Sequence, residues 1–295
     1  MAGLSANERW QGLAPTAFWL ALLLLPLGRT SELAIVAFAI AGLVLAWRQR
    51  RELSRIPQAR LALALFACWW LPALVSAPDA VMPAKTWSTV AGGLRYAPFL
   101  LGAVLLLGGD TRGLARLRWL AAIVVALWTA DALLQAATGW SVAGRLDGDR
   151  LSGIFGDENQ KLGPVLAVLS PVLLLESLDR YGRRATLLLW LLLGAAILLA
   201  GARAGWVAYA VVTVLVAARV AHGARQFGAL LGIAAVAGLA LSALAYVASP
   251  RFAERVECTL AFTEGSAAAT DHALAFRLPI WHAALGMAAA HPVNG

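Results

Sequence analysis

The residues best suited to chemistry in this sequence are arginines. Arg203 sits in Gly201-Ala202-Arg203-Ala204-Gly205, between two strongly apolar stretches. The paired glycines let the backbone reverse tightly and pin the guanidinium near an interface. A planar fork held there can grip two oxygens of a diphosphate at once, or it can snorkel to lipid phosphate. Arg277, in Phe276-Arg277-Leu278-Pro279-Ile280-Trp281, precedes a predicted helix. The helix carries Trp281, a residue type of the membrane-water belt, and Arg277 can meet the same anion from the loop side. Arg95 and Asp131 fall inside apolar runs, where a charge is costly enough to raise a functional question. They can pair with each other, Asp131 can cap a helix, and Arg95 can give electrostatic support to a site. The loop 144–161, with Arg150, Asn159 and Lys161, mixes charges, glycines and amides. That mixture suits a hydroxyl-rich ligand and equally an ordinary solvated loop. His222, His272, His282, His291, Cys68 and Cys258 lack metal-ligand spacing, so no metal site and no cofactor is expected.

Such residues need elements to hold them, and composition says what those are. Of 295 residues, 61% are hydrophobic and 14% charged, with a mean hydropathy of +0.74, outside the range of a soluble domain. Apolar runs able to cross a hydrocarbon core, with some tilt or thinning, read Leu13–Leu27, Leu33–Trp47, Leu61–Val75, Trp87–Leu107, Trp119–Ala137, Leu162–Leu175, Ala185–Ala200, Trp206–Val220 and Phe227–Val247. The expected fold is therefore all-α, a polytopic transmembrane helical bundle of about nine spans. The first two runs are short enough to form a re-entrant pair, and losing both leaves the parity downstream unchanged.

The net charge of +8 reflects topology rather than nucleic acid. One set of alternate loops carries fourteen basic residues against five acidic ones: Arg9, Arg48 to Arg60, Arg112 to Arg118, Arg180 to Arg184, Arg219 and Arg225 supply the positive charge. The other set carries nine basic against ten acidic. The first set is cytoplasmic by the positive-inside rule, which places the N-terminus inside. No cleavable leader is read at the N-terminus, and no GxxxxGK[ST] run offers a nucleotide site.

The richer connections lie on the external side: 139–161, the turn Gly201–Gly205, and the segment from Ser249 onward. Residues 1–248 are expected to form the membrane bundle. Residues 249–295 are expected to begin a large periplasmic loop, ending in mid-loop as though truncated. Within it Pro279 suits a first helical turn, and Ile280, Ala283, Ala284 and Met287 share one face, predicting an interfacial helix.

Taken in order, Asp131-Ala132-Leu133-Leu134-Gln135 with Thr138-Gly139, Arg150-Leu151-Ser152-Gly153-Ile154-Phe155-Gly156, Ala202-Arg203-Ala204-Gly205-Trp206, and Arg277 with Ile280-Trp281 and His291-Pro292 resemble the O-antigen ligase and polymerase superfamily. The resemblance spans roughly residues 120–295. It implies a bundle of about twelve spans in a complete member, with a large periplasmic loop after the ninth. It also implies a glycosyltransferase of the inner membrane that is metal-independent and inverting, moving a glycan from undecaprenyl diphosphate to lipid A-core. Arginines matching Arg203 and Arg277 are implied to engage the donor diphosphate; Arg95, Arg150, Asn159, Lys161 and Trp281 are expected, from their own positions, to bind the substrates. The family's general base is a histidine late in the loop, expected beyond Gly295; His291 matches an earlier His-Pro turn. The alternatives are an O-antigen polymerase or another lipid-linked glycan transferase, and, in another class, a secondary transporter. Against the last stands the lack of an internal repeat or of broken helices in matching halves.

Overall fold

The computed structural model of the chain describes residues 6–28, 30–80, 82–107, 111–145, 151–156, 161–260 and 277–290, with backbone alone at 6–14 and 251. Nearly all of it is helix, as Leu, Ala and Val runs in a bilayer require: hydrocarbon offers backbone amides no partner, so each strand of chain must bond to itself. Two compact units divide the chain, 1–117 with 274–295, and 118–273.

In the first unit the helices are α1 (Ala6–Leu23), α2 (Ser31–Arg48), α3 (Pro57–Ser76), α4 (Pro83–Gly93) and α5 (Tyr96–Leu107), with a further helix at Leu278–Ala290. Pro57 and Pro83 open their helices at the first turn, where no amide proton is missed. The closest crossing is α2 on α5. A Cβ on Gly42 would strike the backbone of Pro98 and Gly102, and one on Gly102 would strike the Phe38 carbonyl, so only glycine allows these backbones to meet. Phe18, Phe38 and Phe99 close the crossing, with ring centroids 5.6 to 6.4 Å apart. The run Trp87–Leu107, read as one span, falls within one candidate span, Pro83–Leu107, that turns in its middle: α4 stops at Gly93 and α5 starts at Tyr96. Gly92-Gly93 weakens the helix, and Pro98 cannot donate to the Leu94 carbonyl four residues back.

The second unit holds most of α6 (Thr111–Thr138), then α7 (Leu162–Leu199), α8 (Arg203–Val220), α9 (Ala224–Ala248) and α10 (Pro250–Leu260). Although α7 is 38 residues long, Gly182 inside it has φ 77 and ψ −174, a conformation open to glycine. The chain folds back there into two antiparallel arms. Gly163, near the start of the first, lies 3.3 Å from the Ala200 side chain at the end of the second, measured from an ideal Cβ. The two runs read as separate spans, Leu162–Leu175 and Ala185–Ala200, are these arms. Pro171 removes one amide from the first arm, and the hydroxyl of buried Ser170 donates to the carbonyl this frees, Ala167 O, at 2.7 Å.

By length and composition seven stretches among the described residues can cross a membrane: α2, α3, α4 with α5, α6, α7, α8 and α9. α1, with Glu8, Arg9 and Gln11 in its first turns, is not among them. The chain is a multi-pass, all-α membrane bundle.

Candidate functional site

One end of the second unit gathers three of the polar residues the sequence singled out, Asp131, Lys161 and Arg203. α6 reaches this end at Thr138, and the chain then forms a two-stranded turn, Trp140–Ser141 paired with Gly144–Arg145. Two buried side chains of α6 hold the following loop. The Gln135 Oε1, on a residue 1% exposed, accepts the amides of Gly153 at 2.7 Å and Ser152 at 3.1 Å. Asp131, 8% exposed, accepts the Val142 amide through Oδ1 at 2.8 Å. The loop is thereby latched by satisfied backbone donors. Asp131 thus accepts one backbone amide of the loop, neither pairing with Arg95 nor capping a helix.

Latching brings Ser152-Gly153 against the start of α7, where an ideal Cβ on Gly153 would sit 3.5 Å from Leu162. Lys161 is the residue just before that helix and is exposed. α8 begins alongside. An ideal Cβ on Gly205 would stand 3.0 Å from the Gly163 carbonyl carbon, so the N-termini of α7 and α8 lie side by side. Each presents amides without helical partners and a partial positive charge.

Arg203 is the first residue of α8, half-buried. The turn before it depends on Gly201 at φ 69, the left-handed region that a Cβ disfavours. Trp206 donates its indole N–H to the Ile197 carbonyl at 3.2 Å, holding α8 to the second arm of α7. Further along, Tyr209 donates to the Trp190 carbonyl at 2.6 Å and Trp190 to Thr213 Oγ1 at 2.9 Å. Buried aromatic donors are satisfied this way in an apolar interior.

Arg255 joins this cluster, and sequence reasoning did not mark it. It lies on α10, and its Nη1 donates to the Gly201 carbonyl at 2.7 Å. Phe252, one turn earlier, is buried against Trp206 with centroids 5.3 Å apart. The sequence carries a signal: Phe252, Arg255, Val256 and Thr259 recur at helical spacing just after a Pro at position 250.

The remaining expected site residues are placed as follows. Arg95, Arg277 and Trp281 belong to the first unit, Lys161 and Arg203 to the second. Arg95, at the break between α4 and α5, pairs with Glu32 at 2.9 Å rather than with Asp131, and lies over the Tyr96 ring at 5.1 Å. Arg277 is exposed at the start of the helix Leu278–Ala290, its carbonyl accepting the Trp281 amide at 2.9 Å, and Trp281 is exposed too. Arg150 and Asn159 lie outside the described residues. Among the described residues, no three His, Cys, Asp or Glu side chains group as metal ligands do. A mostly apolar cavity of about 360 Å³ lies at the far half of α8, lined by Leu174, Trp190, Thr213, Ala217 and Ile233 with Arg183 and Thr186 at its wall. It is remote from Arg203 along the helix.

Comparison with known proteins bears on this end of the unit. Residues 187–295 match the family model Wzy_C, O-antigen ligase. The match takes in the second arm of α7, the Arg203 turn, α8, α9, α10 and the helix Leu278–Ala290. No curated protein and no solved structure matches the chain. The likeness of the motifs to the O-antigen ligase superfamily therefore holds over this segment and supports an O-antigen ligase-like glycan transfer, with lipid-linked glycans as the substrate class.

Proposed function

We propose that this chain is a glycosyltransferase that takes a glycan from undecaprenyl diphosphate and delivers it to lipid A-core, at the periplasmic face of the inner membrane. The observation that carries the reading is the Arg203 turn: it lies within the family-matched segment, beside a second helix N-terminus, with Lys161 and Arg255 on the same end of the unit. Helix N-termini and guanidinium forks both favour phosphate oxygens.

The chemistry needs such an anion site. The acceptor hydroxyl attacks the anomeric carbon, the bond from that carbon to the diphosphate oxygen breaks, and attack from the opposite face inverts the configuration. A general base takes the hydroxyl proton. Negative charge grows on the departing diphosphate, and cations already fixed at a low-dielectric interface stabilise it without reorganising. In this reading Arg203 is the main clamp, Arg277 meets the diphosphate from the loop side, and no metal is required. Arg95, Arg150, Asn159, Lys161 and Trp281 serve the glycan and carrier.

The test is transfer from purified undecaprenyl-diphosphate glycan to lipid A-core, in proteoliposomes, by an otherwise complete enzyme that contains this chain. Arg203→Lys keeps the charge but replaces a planar fork with a mobile point. We expect it to lose roughly 30-fold to several-thousand-fold in rate, as for a charge-assisted pair of ~2 to 5 kcal/mol, and Arg203→Ala to lose at least as much. Near-normal transfer by an inserted Arg203→Lys protein makes Arg203 an interfacial anchor only. Activity should survive EDTA; loss restored by Mg²⁺ rules out the arginine-only clamp. Alkaline phosphatase fused at Gly265 should be active, and an inactive fusion places the site on the wrong face. A product lengthened on the carrier instead of on lipid A-core identifies a polymerase.

A further inference from the structure

We propose that Arg255 is a positioning residue, fixing the backbone of the Arg203 turn from the neighbouring helix α10. The proposal rests on the reading of that turn as a diphosphate site.

The turn alone is a poor support. Gly201 and Gly205 bracket it, and glycine gives the backbone more freedom than any other residue. Its own hydrogen bonds leave one carbonyl aside: the Gly205 and Trp206 amides both go to Ala202 O, and the Gly201 amide to Leu198 O. The Gly201 carbonyl, two residues before Arg203, is the one that Arg255 takes, at 2.7 Å. A short bond from an ionised donor is about twice as strong as a neutral one. The guanidinium also fills the space beside Gly201, since a Cβ there would collide with Nη1 and stand 2.7 Å from Cζ. Phe252, on the same face of α10, packs against Trp206, three residues after Arg203. α10 therefore touches the chain on both sides of Arg203, and does so from 54 residues away in sequence.

The choice of acceptor matters. A peptide carbonyl carries no net charge, so this bond orients a guanidinium and adds no negative charge of its own beside the turn. A carboxylate in its place would hold the turn equally well but would add a negative charge where an anion must bind. A displacement of about 1 Å in a positioned group can cost ~100-fold in rate, which is the scale of what such a brace can protect.

Binding of undecaprenyl diphosphate to the purified chain in lipid nanodiscs, followed by intrinsic tryptophan fluorescence, tests this through a double-mutant cycle. Arg203→Ala and Arg255→Ala should each weaken binding about tenfold. If Arg255 acts through Arg203, the double variant binds no more than about twofold more weakly than Arg203→Ala alone. Arg255→Lys, which can still reach the carbonyl as a donor, should recover most of the affinity. Multiplying losses in the double variant would make Arg255 a direct anion ligand and overturn the proposal. So would wild-type affinity in Arg255→Ala accompanied only by a lower melting temperature. If Arg203→Ala itself binds as wild type does, the reading of the turn as a diphosphate site fails, and this proposal with it. Should Arg255→Ala not survive extraction, Arg255→Gln, which keeps the stem but not the fork, replaces it in the cycle.

Discussion

The two ends of the second unit are both rich in arginine, and they use it in opposite ways. At the end near Gly182, Arg180 Nε lies 2.9 Å and Arg118 Nε 3.5 Å from the carboxylate of Glu176, and Arg180 also lies 4.2 Å over the Trp119 ring. The carboxylate is 6% exposed, so this is a buried anion compensated by two cations, tying α6 to the first arm of α7. At the other end Arg203 opens a helix beside a second helix N-terminus, and Arg255 grips a neutral carbonyl. A cation bonded to a carboxylate is neutralised, whereas a bond to a peptide oxygen adds no negative charge of its own. The first arrangement fixes a helix pair; the second fixes a turn.

If this contrast is right, the Glu176 end should respond in stability. Arg118→Ala with Arg180→Ala strands a buried carboxylate, an error that costs about 3 to 5 kcal/mol where burial is complete. Both arginines are roughly half exposed, with side chains 58% and 44% accessible, so we expect about 2 to 3 kcal/mol. Unfolding in mixed detergent micelles measures it, and donor binding should be unchanged in the folded fraction. A stability loss below about 0.5 kcal/mol, the scale of a surface pair, would erase the distinction.

The loop latch should give a somewhat smaller effect. Gln135→Ala leaves the Ser152 and Gly153 amides without their acceptor, at about 1 to 3 kcal/mol for a buried donor left unmet. Water entering the space reduces this to about 1 to 2 kcal/mol in total. Hydrogen exchange should show those two amides opening while the Gly182 end stays protected. Unchanged protection at Ser152 and Gly153 would show that the loop is held by something else.

Gly201→Ala should have a comparable effect on stability and a visible one on binding. A Cβ in the left-handed region costs about 1 to 2 kcal/mol, and it also displaces the Arg255 guanidinium. Gly182→Ala carries a backbone cost at least as large at the other end, about 1 to 3 kcal/mol, since φ 77 with ψ −174 is essentially confined to glycine. The pair therefore separates strain from site geometry: both should lower the melting temperature, and only Gly201→Ala should weaken undecaprenyl diphosphate binding. Equal binding by the two variants would mean that the turn does not shape the anion site.

Much of the architecture was legible because a bilayer imposes a local rule. Runs such as Leu61–Val75 and Phe227–Val247 are long and apolar, and each is a helix here. The two arms of α7 could be read separately because Glu176, Asp179, Arg180, Arg183 and Arg184 interrupt the apolar pattern. The Gly201–Gly205 turn was equally plain, since glycines between two such runs have few other uses. Less visible was the break between α4 and α5, where hydrophobicity continues and only Pro98 and Gly92-Gly93 signal a stop. α10 was missed altogether: Arg251, Glu254, Arg255 and Glu257 make it polar overall, and composition alone reads such a stretch as loop.

What the sequence by itself determined is where helices lie and where the chain must turn, because hydrophobic length and glycine act on neighbouring residues. Which charge meets which partner was decided only by the tertiary structure. Pairing of Arg95 with Asp131 was one option in the sequence, yet Arg95 reaches Glu32 across 63 residues and Asp131 takes a backbone amide 11 residues on. Arg255 reaches Gly201 across 54. A long side chain bonds to whatever packing brings within about 3 Å, and that proximity is set by how helices stack, which no periodicity along one helix encodes.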